Sequence, residues 1–262
     1  MKVGSLFLFI FCCLALGQNL IAQELQWTKE LYQHWVDTRT GSDGEPVFWI
    51  EEGTVKSFPD GTLIAKTVGV DMARSLIATP DSIIQLSRKI FIYLDPETGA
   101  IMDTYKGNKV NHITYDYQLL SYVWADDHMR TWATQGKGST LRTYGPGIEV
   151  KIRKLDNHLI FSAPLFIDRK TAEWSYQAYE HYDFIYDNTA ESNKDKYQLI
   201  WSRYGTGPAW MNAIDIVTQR VAYRVDDWND LPTKLKKYIN ERAPLWRKPP
   251  QGMAEIIQLQ NQ

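Results

Sequence analysis

Along most of this chain apolar and polar residues alternate with the two-residue period of a half-buried strand. At two places, one soon after the first apolar run and one near the C-terminus, the period lengthens to that of a helix. Trp27, Leu31 and Trp35 recur four residues apart, with Tyr32 and Val36 beside them, and this stripe predicts a helix over residues 25–38. The polar, glycine-rich stretch 40–46 breaks it. Short strands are predicted at 47–51 and 54–58 around Glu52-Gly53, then a turn at Pro59-Asp60-Gly61 and a strand at 62–70. A long β-rich run covers 83–94 and closes at Asp95-Pro96-Glu97-Thr98-Gly99. Residues 101–105 and 109–113 read as a hairpin around Gly107-Asn108, and 148–155 with 158–166 as another around Asp156-Asn157. Residues 175–186 and 197–205 flank a polar loop, and 221–225 is a last short strand. A second helix is expected over 231–242, with Asp230 as cap, Pro232 in its first turn and Pro244 as its stop. Its stripe is Leu231, Leu235, Tyr238 and Ile239.

Strands joined by short turns are antiparallel neighbours, because parallel pairing needs long crossovers. The order of one helix, many strands and one helix therefore predicts a mainly β fold. The expected architecture is a single large antiparallel β-barrel, lipocalin-like, with flanking N- and C-terminal helices. No repeat or interdomain linker divides residues 23–262, which read as one domain.

The start of the chain reads differently. A single charge, Lys2, precedes the apolar run 6–16, which is too short for a stable bilayer-spanning helix, and Ala22 offers a small residue for a peptidase. Residues 1–22 are thus expected to be a secretory signal, leaving 240 residues in the periplasm or outside the cell. Both cysteines, Cys12 and Cys13, leave with it, which excludes disulfides, thiolate metal sites and a cysteine nucleophile from the mature chain. The formal net charge of the whole chain is −2, so nucleic acid is not an expected partner. After the signal no apolar run approaches the roughly 20 residues of a membrane-spanning helix. All 10 Trp and 15 Tyr fall in the mature part, a composition suited to an aromatic-lined ligand site and equally to an ordinary core.

No Gly-x-Ser-x-Gly, His-Glu-x-x-His or phosphate-cradling glycine loop is present, and no cofactor or metal is expected. The five histidines are scattered. His181 and Asp183 share a strand face, and Asp126-Asp127-His128 is a second small cluster, but neither spacing demands a metal. The informative pattern is the hairpin 175–186/197–205. One face of its first strand carries Tyr176, Ala178, Glu180, Tyr182, Phe184 and Tyr186; one face of the second carries Tyr197, Leu199, Trp201 and Arg203. Even pairing back from the loop sets Glu180 opposite Arg203 or Tyr204, and matching the apolar stripes favours Arg203. Arg88 is expected on the same interior, among Ile84, Leu86, Ile90 and Ile92. Inward charges must find a partner, because an unpaired buried charge is very costly. They form either a structural ion-pair network or the polar end of a ligand site. Gly205-Thr206-Gly207-Pro208 forces an irregular segment whose Trp210 and Met211 cap one barrel mouth.

These residues resemble those of the domain of unknown function 1838 family. The resemblance is carried by Gly41-Ser42-x-Gly44-x-Pro46-Val47-x-Trp49, Gly69 with Arg74, Leu86-Ser87-Arg88, Asp95-Pro96-Glu97-Thr98-Gly99 and Val110-Asn111-His112. It continues in Tyr176-Gln177-Ala178-x-Glu180-x-Tyr182-Asp183-Phe184, Trp201-x-Arg203, Pro208-x-Trp210-Met211, Tyr223 and Leu231-Pro232. It implies a mostly β, often exported protein and supplies no reaction. The chain departs from the family pattern after Gly107, where the stretch is shorter, and after His112, where 115–122 replaces an expected Asn-Asp-Pro-Val.

The leading expectation is a barrel that binds a small, largely apolar ligand with one polar or anionic end, through Arg88, Tyr176, Glu180, Tyr182, Trp201, Arg203 and Trp210. The alternatives are an acid–base enzyme of isomerase or dehydratase type, with Glu180, Arg203 and His112 as candidate catalytic groups, and a surface interaction scaffold.

Overall fold

A computed structural model describes residues 22–135, 139–140, 149–170 and 175–261. Residues 1–21, where the export signal is read, lie outside it.

One antiparallel sheet of twelve strands dominates the described residues. In chain order the strands are β1 (Gln23–Leu25), β2 (Val47–Ser57), β3 (Leu63–Thr79), β4 (Ser82–Leu94), β7 (Ile113–Ala125), β8 (His128–Gln135), β9 (Ser139–Thr140), β10 (Lys151–Leu155), β11 (His158–Lys170), β12 (Ser175–Asp187), β13 (Tyr197–Thr206) and β14 (Asp215–Val225). Their spatial order is β1-β10-β11-β12-β13-β14-β2-β3-β4-β7-β8-β9. The short pair β5 (Thr104–Tyr105) and β6 (Asn108–Lys109) stands apart. The helical segments that bear on the site and its support are α1 (Lys29–Thr40), α2 (Asn193–Lys196), α3 (Thr233–Arg242), α4 (Met253–Gln260) and a 3-10 turn at Ala209–Met211.

The sheet is curved. Side chains from nine of its strands meet in one buried cluster with Tyr32, Trp35 and Val36 of α1, which only a sheet wrapped around that helix allows. Among the described residues β1 and β9 are the free ends of the sheet, so the barrel is a half-barrel plugged by α1. Thr28 caps this helix, its hydroxyl accepting from the Leu31 amide, and so α1 begins at Lys29, four residues after the end of β1, rather than at residue 25. The convex side is covered in turn. Leu235 and Ile239 of α3 pack on Phe48, Ile50, Val70 and Ile90, and Ile256 of α4 packs on Leu86 and Tyr117.

Most predicted strands are present but longer. The two short strands expected around Glu52-Gly53 are one strand, β2. Gly53 is no turn: a Cβ there would stand 2.0 Å from the Gln219 carbonyl oxygen and 2.7 Å from the Arg220 side chain, so the glycine admits the neighbouring strand. The hairpin β7/β8 was not expected from the sequence pattern. Its turn is Asp126-Asp127, both at positive φ, so that cluster is turn chemistry with an Asp126–Arg130 ion pair. The C-terminal helix α4 was likewise not expected.

Trp35 stands edge-on to Tyr122 and Phe184, with ring centroids 5.8 and 5.5 Å away, and tilts against Phe161 at 5.5 Å. It thus ties strands from both halves of the sheet to the helix. Trp35→Ala should cost about 3–5 kcal/mol, the range for a buried tryptophan. Urea unfolding followed by circular dichroism measures this; a loss below about 1 kcal/mol contradicts the plug role.

Candidate functional site

The concave face carries an unusual load of buried charge. Pairing across β12 and β13 sets Glu180 directly opposite Arg203, in the register that the two apolar stripes favour. The Arg203 Nε lies 3.6 Å from Glu180 Oε1, and Arg203 Nη2 donates to the Thr206 carbonyl at 3.1 Å. The Tyr182 hydroxyl donates to the other carboxylate oxygen at 2.5 Å. Burial, and then the charge of Glu180, push the Tyr182 phenol well above its ordinary value, so it stays protonated.

Two further pairs share this face. Arg220 Nη1 lies 3.3 Å from Glu51 Oε2, and Lys89 Nζ lies 2.9 Å from Asp71 Oδ2. The Arg220 guanidinium is sandwiched between Phe91 and Trp201, 4.0 and 4.6 Å from their ring centroids. Gly69 makes that stack possible, since a Cβ there would stand 2.0 Å from the Phe91 ring. Burial pushes the Glu51 carboxyl up, outweighing the opposite pull of Arg220 and Lys89.

Arg224, also buried on this face, pairs with Asp226 at 3.6 Å and donates to the Asp37 and Thr38 carbonyls; Arg39 has no such partner. Arg39, in the last turn of α1, is 6% exposed, and among the described residues no carboxylate lies within ion-pair distance of it. Its Nε donates to the Tyr122 hydroxyl at 3.4 Å, and that hydroxyl donates to Gln85 Oε1 at 2.5 Å. Its guanidinium lies 4.3 Å from the Phe184 ring centroid. The C-terminal end of a helix favours a cation, which helps hold the charge there.

Arg39 borders a cavity of about 60 Å³. Its apolar wall is Trp35, Leu120, Val150, Ala163, Leu165 and Phe184. Its polar groups are Arg39, Lys89, Gln118, Tyr122, Thr131 and Tyr182. The Thr131 hydroxyl is buried with no hydrogen-bond partner among the described residues. Such a group is costly unless something occupies the cavity. Apolar walls with a few converging polar groups are the usual make-up of a small-molecule site.

The sequence-derived candidates divide. Glu180, Tyr182, Trp201 and Arg203 share the concave face, and Tyr182 reaches the cavity. Arg88 does not join them. It pairs with Met72 on the convex face, where Nε donates to the Asp116 carbonyl at 2.7 Å, Nη1 to the Leu245 and Lys248 carbonyls, and Nη2 to Glu255 at 2.7 Å. The expectation failed because the apolar face of β4 is the outer one: Ile84, Leu86, Ile90 and Ile92 lie under α3 and α4, while Gln85 and Lys89 face the interior, so alternation pointed the wrong way; the Arg88 side chain straps the C-terminal segment to the sheet. Trp210 caps one end, 4.8 Å from the Tyr93 ring centroid, in a separate cluster with Val55, Met102 and Ile216. His112 lies by that cluster, not by Glu180. Its Nδ1 accepts from the Tyr93 amide at 3.1 Å, and burial holds its pKa below the ordinary value. Tyr176 lies in β12 opposite Arg169. The His181 and Asp183 side chains do meet, at 3.2 Å, but on the convex face with Ser162; among the described residues no three potential metal ligands cluster. Arg39 was missed although its signal was present: it continues the stripe Trp27, Leu31, Trp35 by one more step of four.

The geometry is that of a plugged half-barrel with a charged, partly hollow interior. A family model described as "Protein of unknown function (DUF1838)" matches residues 45–259, and the chain belongs to that family. No curated protein matches. Among solved structures, the chain is similar to a DUF1329 family protein from Desulfovibrio piger, with 8% identity, 83% of this chain and 97% of that one covered, and a TM-score of 0.20.

The Glu180 and Arg203 side chains are 13% and 11% exposed, so their pair is largely desolvated. Arg203→Met should therefore cost about 3 kcal/mol, at the low end for a broken buried pair because Tyr182 still serves Glu180. Adding Glu180→Gln should restore more than half of the loss, since neither charge remains. Urea unfolding of the two variants decides it; no recovery in the double variant contradicts the coupling.

Proposed function

We propose that this protein is exported and that the interior of its half-barrel, residues 23–262 acting as one domain, binds a small, largely apolar molecule with one polar end. The observation that carries this reading is the cavity beside Arg39. Its walls are aromatic and aliphatic, while its polar groups converge from α1, β4, β7, β8 and β12. A core selected only for packing closes such a space and keeps unpaired cations out of it. Export is supported by the apolar run 6–16 followed by Ala22. At about 60 Å³ the cavity is less than half the ~150 Å³ that admits a benzene ring, so it suits a head group or a very small molecule. A proton-transfer enzyme is the second reading, favoured by Tyr182, whose hydroxyl is held by Glu180 at the cavity edge.

One experiment covers the proposal. The chain is expressed with its own N-terminus, recovered from the exported fraction, sequenced from its first residue and extracted for bound small molecules by mass spectrometry. The expected product begins at Gln23 and carries a molecule that is absent from Ala163→Leu, which fills the cavity at a stability cost of about 1–3 kcal/mol. A chain beginning at Met1 contradicts export. Identical extracts from the wild type and Ala163→Leu contradict the site. Turnover of the extracted molecule by fresh protein, lost in Glu180→Gln, selects the enzyme reading.

A further inference from the structure

The charges on the concave face do not balance, and the imbalance specifies a ligand. Glu51 pairs with Arg220, Asp71 with Lys89 and Glu180 with Arg203. Arg224 pairs with Asp226, and each of the three interior carboxylates thereby has a cation in contact, although Asp71, whose Oδ1 has no hydrogen-bond partner among the described residues, also draws on Arg39 from beyond ion-pair distance. Arg39 is the cation left over, more than nine-tenths buried and facing the cavity. The guanidinium's only hydrogen bond among the described residues leaves from Nε, so both terminal amino groups keep their donors. Its ring neighbours supply some stabilisation but satisfy no N–H. The orientation is fixed in advance: the Tyr122 hydroxyl that receives Nε–H is itself anchored on Gln85, and the Tyr32 hydroxyl donates to the Tyr122 carbonyl at 3.1 Å.

We propose that Arg39 is an anion receptor and that the ligand of the half-barrel is a monocarboxylate, seated with its carboxylate on the free edge of the guanidinium and its carbon chain against Leu120, Ala163 and Leu165. This deepens the binding reading above and rests on it. One unpaired positive charge calls for one negative charge. A phosphate dianion overshoots that balance and brings four oxygens into a space with few donors, whereas the planar guanidinium edge matches two carboxylate oxygens. The Thr131 hydroxyl, without a partner among the described residues, is available as a further donor.

The test uses the folded mature chain with acetate and acetamide, which share a shape, fit so small a cavity and differ in charge, and with inorganic phosphate as a third probe. Calorimetry or ligand-observed NMR gives the dissociation constants. Acetate should bind at least about tenfold more tightly than acetamide, the scale of a hydrogen bond to a charged group, and phosphate should not compete. Arg39→Gln should bind both probes equally. Arg39→Lys, which keeps the cation without the paired donors, should retain a reduced preference and covers the case in which the glutamine variant does not fold. Equal binding of the two probes by the wild type, or an undiminished preference in Arg39→Gln, overturns the carboxylate assignment and leaves the binding reading standing. Competition by phosphate replaces the carboxylate with a broader anion site and overturns the ligand class. Saturable binding of neither acetate nor acetamide overturns both.

Discussion

Everything in this molecule depends on Trp35 and its helix filling the concave side of an open sheet. An antiparallel sheet with two free ends has no closed wall to exclude water from its inner face. Here α1 supplies what closure does in a complete barrel. Trp35 reaches Tyr122 on one side and Phe161 and Phe184 on the other, so one side chain holds distant strands at a fixed curvature. The same helix then delivers Arg39 to the interior one turn later, because residues four apart lie on one face. Stability and the candidate site are thus built from a single stripe.

The interior is expensive to maintain. Desolvating paired charges costs more than it returns in many proteins, and apolar substitutes of similar shape are often as stable. Three such pairs and an extra cation on one face are therefore hard to explain by stability alone. Their supports are specific. Gly53 and Gly69 leave room for Arg220 and for the ring beneath it, and Tyr182 holds the carboxylate of Glu180. The convex side shows the contrasting case. Arg88 satisfies its donors with three carbonyls and Glu255, and that hydrogen bond, working against burial, keeps the Glu255 carboxyl below its ordinary range. An arginine that only fastens the chain looks like Arg88; Arg39 does not.

Much of this was legible in the sequence where one face alone is apolar. The β12/β13 register follows from its stripes and from even pairing around the 187–196 loop, and Glu180 does face Arg203. The mainly β antiparallel architecture follows from short turns between alternating runs. Legibility failed where both faces are buried and the inner one is polar. In β4, helix α3 and the C-terminal segment cover the outside, so its apolar face, which carries Arg88, points outward while Gln85 and Lys89 point in. It failed again at Gly53, a close approach that reads locally as a turn. Arg39 was hidden because a charge near the end of a helix normally marks its solvent side, and only the four-residue step from Trp35 says otherwise.

The central claim is that the cavity beside Arg39 is a binding site rather than a packing fault. A high-resolution crystal structure of the protein purified from its exported fraction, without added carboxylates, tests it most directly. The account predicts electron density for a small molecule in the cavity, with two of its atoms within about 3 Å of the terminal nitrogens of Arg39, the length of a charge-assisted hydrogen bond. Arg39 paired instead with a carboxylate of its own chain, over a cavity filled by that chain's side chains, contradicts it.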